Sequence, residues 1–149
     1  MAIWQYQLFV VPEEETNSYF GDNLFINNNA LNEINWWKYR QLSIDNFNNF
    51  KSFLPLKQSW SSDIILFGDE SSNCIELLID NNRIIEISIR IDVRNDYKEF
   101  VYALCDFAQT YGCVLLNDTL KVLSSTVKLI EHDIMIHPLY KLFLDKLNE

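Results

Sequence analysis

The residues best placed to do chemistry lie along one segment. In R-I-I-E-I-S-I-R-I-D-V-R, from Arg83 to Arg94, the residues Glu86, Ser88, Arg90, Asp92 and Arg94 alternate with Ile and Val. The segment holds three of the four arginines of a chain whose formal net charge is -9. Spaced two apart, these polar side chains share one face of a strand, and at about 3.3 Å per residue Arg90 and Arg94 stand roughly 13 Å apart with Asp92 between them. Two guanidinium groups so separated cannot grip one carboxylate, whereas a row of alternating charge can orient and select a macromolecular partner. Glu86, Arg90, Asp92 and Arg94 are therefore the expected recognition surface. Its plain competitor, and the commoner outcome of such a pattern, is a solvated sheet face whose charges discourage nonspecific pairing.

Trp36-Trp37-Lys38-Tyr39-Arg40 mixes large aromatic rings with positive charge. Such mixtures form interface hot spots or stack on bases, so Trp36 and Trp37 join the expected partner contacts. The alternative puts one tryptophan in the core and leaves the other partly covered. Elsewhere the reactive side chains fail to converge. Asp69 adjoins Glu70, and Glu131 and Asp133 flank His132, but neighbouring side chains diverge and do not make an acid-base pair. His132 and His137 are five apart, about 140° around a helix, which is wrong for two ligands of one metal. Cys113 is followed by Val114, Leu115 and Leu116, the setting of a buried and inert thiol. Three glycines in the whole chain leave no phosphate-cradling loop. No catalytic residue, metal or cofactor is expected.

These residues need a frame. Ile85, Ile87, Ile89, Ile91 and Val93 have strand period and must be buried on one side. Residues 63–67 and 73–79 read as two further strands, and Asn81-Asn82 as a tight turn into the arginine-bearing strand, which predicts a three-stranded antiparallel meander. Residues 3–11 read as an opening strand ended by Pro12. An irregular stretch follows from Thr16 to Asn29, with one short extended piece at Leu24 to Ile26. Short helices are expected over 30–39, capped by Asn29, and over 44–54. Asp96 and Glu99 have capping-box spacing before the strongest helical pattern, Tyr97 to Tyr111, which Gly112 closes. A second hairpin at 113–123 and a last helical region broken at Pro138 complete the order. The expected fold is a single α+β domain, residues 1–149, with a mainly antiparallel sheet and helices packed on one face.

The acidic balance excludes nucleic acid as the expected partner and favours a basic protein, since nucleic-acid affinity comes mainly from lysine and arginine. No export signal opens the sequence and no apolar run approaches a membrane span, so no membrane partner is expected. Cys74, Cys105 and Cys113 are odd in number and lack metal or redox spacing, which predicts a reducing cytoplasm. A homodimer through a sheet edge or a tryptophan patch is a further possibility. So is a small-molecule binding protein or enzyme using a pocket between the sheet and the aromatic segment from Trp36 to Trp60.

The run R-I-D-V-R at Arg90 to Arg94, then F-V-Y-A-L-C-D-F-A from Phe100 to Ala108 and G-C-V-L-L from Gly112, resembles small uncharacterised bacterial proteins. Some of these occur among the immunity proteins of polymorphic toxin systems. The resemblance implies a single-domain cytoplasmic protein that occludes a toxin domain.

Overall fold

The computed structural model describes residues 2–21, 23 and 25–149. Seven strands, β1 (Gln5–Pro12), β2 (Leu56–Lys57), β3 (Ile64–Gly68), β4 (Cys74–Asp80), β5 (Arg83–Asp92), β6 (Cys113–Asn117) and β7 (Val122–Leu123), form one sheet of order β2-β3-β4-β5-β1-β6-β7. Every pairing is antiparallel. The helices are α1 (Glu13–Phe20), α2 (Asn28–Glu33), a 3-10 helix (Ile44–Ser52), α3 (Lys98–Thr110), α4 (Val127–Ile136) and α5 (Pro138–Leu147). The fold is α+β.

The expected meander is β3-β4-β5, and its tight turn is built as the sequence predicts, with Asn81 at φ 51° and Asn82 at φ 62°. One face of the sheet is apolar because the register stacks Leu8, Ile89, Ile75 and Phe67 in one row and Ile87 and Leu77 in the next, all buried. Aromatic rings close this face. Phe47 of the 3-10 helix stacks on Phe67 at 6.0 Å and meets Phe107 of α3 at 4.7 Å, and Phe50 meets Phe107 at 5.6 Å. From α4, Asp133 reaches the same face, where its Oδ2 accepts from the Tyr6 hydroxyl at 2.5 Å and from Asn117 Nδ2 at 3.0 Å.

The strict alternation of β5 fails at its beginning. Leu78 pairs with Glu86 but Ile79 pairs with Ile84, so Ile85 is an extra residue and the strand is bulged there. The bulge reverses the alternation by one place. Ile84 takes the buried position expected of Ile85, which is 37% exposed. At the other end, Asp92 is 0% exposed and belongs to no solvated row.

Several local expectations are corrected. The stretch expected to be irregular from Thr16 begins inside a helix, because Glu13, Glu14 and Glu15 form the first turn of α1, where carboxylates meet the positive end of the helix dipole, and Thr16 to Phe20 continue it. The helix expected over 30–39 ends at Glu33. Trp36 and Trp37 are both buried, and two adjacent side chains cannot face one way on a helix, so the chain leaves the helix to place them. Asn29 lies inside α2, and its amide is instead received by Asn27 Oδ1 at 2.8 Å. Leu24 lies outside the described residues, and of its extended piece Phe25 bridges Lys121. Asp96 does not cap α3 through a box with Glu99; its Oδ1 accepts from the Lys98 amide at 3.0 Å. Gly112, at φ 63°, closes α3 in the left-handed conformation expected, and Pro138 opens α5. No helix among the described residues is long and apolar enough to cross a membrane.

Candidate partner-binding face

The register that buries the isoleucines turns a second set of residues to the opposite face. Gln7, Arg90 and Cys74 share one row, Phe9, Ser88 and Glu76 the next, and Glu86, Leu78 and Ile64 a third. Both ends of this face are covered. At one end Val11, Val114 and Leu116 are buried. At the other, the β3–β4 loop folds over the sheet: Gln5 Nε2 donates to the carbonyls of Glu70 at 2.8 Å and Ser72 at 3.0 Å, and Trp4 Nε1 to that of Ser71 at 3.1 Å. Gly68 makes that loop possible. It sits at φ 90°, and a Cβ there would collide with the Asn73 carbonyl.

The middle stays open. Gln7, Phe9, Leu78, Glu86, Ser88 and Arg90 are all half-buried, with Trp60, 71% exposed, standing beside them. Two adjoining depressions meet at Phe9, Leu78 and Glu86. One, of about 440 Å³, lies between the sheet and the segment from Leu31 to Trp37. The other, of about 390 Å³, reaches Arg90 and Trp60.

The sequence-predicted residues separate here. Arg90 is engaged within the protein: its Nη2 pairs with Glu76 Oε1 at 3.3 Å and its Nη1 donates to the Glu70 carbonyl at 3.2 Å. Glu76 is occupied too, accepting from Trp60 Nε1 at 3.3 Å. Asp92 and Arg94 form a closed corner. Arg94 donates from Nε and Nη2 to the Asp92 carboxylate at 3.0 and 2.7 Å, Ser72 Oγ adds a bond of 2.7 Å, and the guanidinium lies 4.3 Å over the Trp4 ring. Burial alone would raise the Asp92 carboxyl, but the bonds from Arg94 and Ser72 outweigh it and hold the group below the ordinary carboxylate range. Trp36 and Trp37 are buried, Trp36 stacking on Phe20 at 6.2 Å, and they border the first depression without standing out as surface.

Glu86 is different. Its side chain makes no hydrogen bond or ion pair with any described residue, and burial, followed by the nearby charge of Glu76, raises its carboxyl above the usual value. The face thus brings together Glu86 and Arg90 but not Asp92, Arg94, Trp36 or Trp37. Phe9, Leu78 and Ile85 were missed as site residues, and Trp60 entered only as the end of the aromatic segment beside the alternative pocket. For Phe9 the signal was legible, because it follows Gln5 and Gln7 on the polar side of the opening strand; for Ile85 it was hidden by the bulge.

Other reactive groups stand apart. Cys113 is buried, and burial raises its thiol although Arg40 nearby opposes the shift. His137 is spent on structure, its Nδ1 accepting from the Leu139 amide at 3.1 Å and its Nε2 lying 2.8 Å from Asp118. Among the described residues no group of three or more His, Cys, Asp or Glu could hold a metal ion. Compared with protein-family models, curated proteins and solved structures, the chain matches none of them.

Proposed function

We propose that this chain is a noncatalytic protein-binding module of the immunity or inhibitor kind, which occludes a basic toxin domain in the cytoplasm. The observation that carries this reading is the open middle of the outer sheet face, where an unpaired carboxylate, Glu86, rises from an apolar floor of Phe9 and Leu78. An apolar floor with carboxylates at its rim suits a protein interface, and a carboxylate at its centre makes that interface selective for a cation. The formal net charge of -9 steers a basic partner toward it and speaks against nucleic acid. The test is titration of the purified chain with the products of its neighbouring genes, any basic toxin-like domain first. The expected result is a one-to-one complex in which the activity of that domain is lost. Absence of binding, or a complex that leaves the domain active, sinks the proposal.

A second reading, a small-molecule binding protein or enzyme, is favoured by the depression between the sheet and Trp36-Trp37. Its described lining holds the carboxylates of Glu33, Asp80 and Glu86 but neither histidine nor Arg90 nor Asp92. Detection of a tightly held small molecule by native mass spectrometry of the purified chain would reverse the order of the two.

A further inference from the structure

We propose that the depression at Phe9, Leu78, Ile85 and Glu86 receives one lysine or arginine side chain of a protein partner, with the cation against the Glu86 carboxylate and its aliphatic stem on the apolar floor. The assignment rests on the protein-binding reading above and names where and how that binding occurs. Charge complementarity carries it. The two adjoining depressions are lined by four carboxylates, Glu33, Glu76, Asp80 and Glu86, against one cation, Arg90, and that cation is already paired with Glu76. Three carboxylates have no partner among the described residues, and of these Glu33 and Asp80 are exposed at the rim while Glu86 is half-buried at the centre. A partly desolvated carboxylate with no donor of its own gains more from an arriving cation than a hydrated one does.

The surroundings select a long, flexible cation over a metal ion. A hard divalent cation needs several oxygen ligands, but the immediate floor is supplied by Phe9, Leu78 and Ile85. Lysine and arginine match such a floor because their methylene stems lie on apolar surface while the head stays polar. The Phe9 ring adds a face on which a guanidinium can rest. The raised carboxyl of Glu86 fits the same picture, since a bound cation relieves both causes of the shift.

The experiment titrates the isotope-labelled full chain with acetyl-Gly-Arg-Gly-amide, using acetyl-Gly-Gln-Gly-amide as the neutral control, and follows backbone amide signals. Binding of the arginine peptide is expected to move the signals of Phe9, Leu78 and Glu86. Glu86→Gln, which removes no hydrogen bond within the fold, should weaken it roughly tenfold, whereas Glu14→Gln on α1, with the same loss of charge, should change it less than about twofold. Equal losses in the two variants, or shifts centred on α1, would mean diffuse attraction to an acidic surface and would overturn the proposal. So would a dimer of the free chain, seen by sedimentation, that dissociates on Glu86→Gln, because the occupant would then be a second copy. A basic partner domain that binds wild type and Glu86→Gln equally well overturns this assignment while leaving the proposed function standing. Failure of wild type to bind any such domain defeats the function itself, so the two failures are told apart.

Discussion

At the scale of single residues, Asp92 shows how a group that reads as a recognition residue is consumed by the fold. It takes donors from Arg94 and Ser72, and its own amide donates to Asn73 Oδ1 at 2.6 Å, so one acid joins the end of β5 to the β3–β4 loop. Because the folded state holds this carboxyl below its unfolded value of about 3.9, the unfolded chain takes up the proton first. The contribution of Asp92 to stability is therefore complete above that value and disappears as the pH falls through the lower, folded-state pKa. Asp92→Asn should cost about 1–3 kcal/mol at neutral pH, at the lower end because Arg94 can turn to solvent and leave no sealed charge behind. Urea unfolding across a pH series checks both parts: the variant should lose less stability than wild type on acidification. Parallel loss in the two would show that Asp92 is not the group being protonated.

At the scale of elements, period-two alternation located β5 and most of its inward face but could not reveal where the period slips. An alternating pattern carries no mark of an extra residue, since a bulge depends on the partner strand, here the shift between Leu78 and Ile79. The same limit applies to the site. Glu86 and Arg90 were legible because the polar face of β5 is written in the sequence, and Phe9 because it continues the side of Gln5 and Gln7, whereas Trp60 reaches that face only through its placement near Glu76. Trp36 and Trp37 misled because aromatic residues beside basic ones look alike whether they are buried or displayed. Turn and helix-end chemistry was readable at Asn81-Asn82, Gly112 and Pro138, whereas the N-caps expected at Asn29 and at Asp96 with Glu99 were not the ones the fold uses. The bulge itself makes a sharp prediction. Deleting Ile85 leaves the pairs Leu78–Glu86 and Ile79–Ile84 in place and restores regular alternation with Ile84 still inward. Its cost in denaturant unfolding should stay within about 1 kcal/mol, whereas deleting Ile87 turns flanking side chains to the wrong face and should prevent folding. Comparable damage from both deletions would refute the bulge.

At the scale of the whole molecule, the excess of 21 acidic over 12 basic residues sets two responses to salt that run in opposite directions. Within the chain, the ion pairs among described residues are Arg90–Glu76 and Arg94–Asp92, so most carboxylates have no cation close by. Their mutual repulsion penalises the compact state more than the unfolded one. Screening with a Debye length that shortens to about 8 Å at physiological ionic strength relieves that repulsion, and the melting temperature should rise by a few degrees, roughly, from low salt to that range. The same screening weakens long-range attraction to a basic partner, so the association rate with that partner should fall steeply over the same interval while the dissociation rate changes little. Thermal melts and stopped-flow association in matched salt series measure the two slopes. Opposite signs are expected if the acidity of this chain is a feature of its surface that serves encounter. A melting temperature that falls with added salt would instead mean that net attractive pairs hold the fold, and that the acidic residues are part of its internal support.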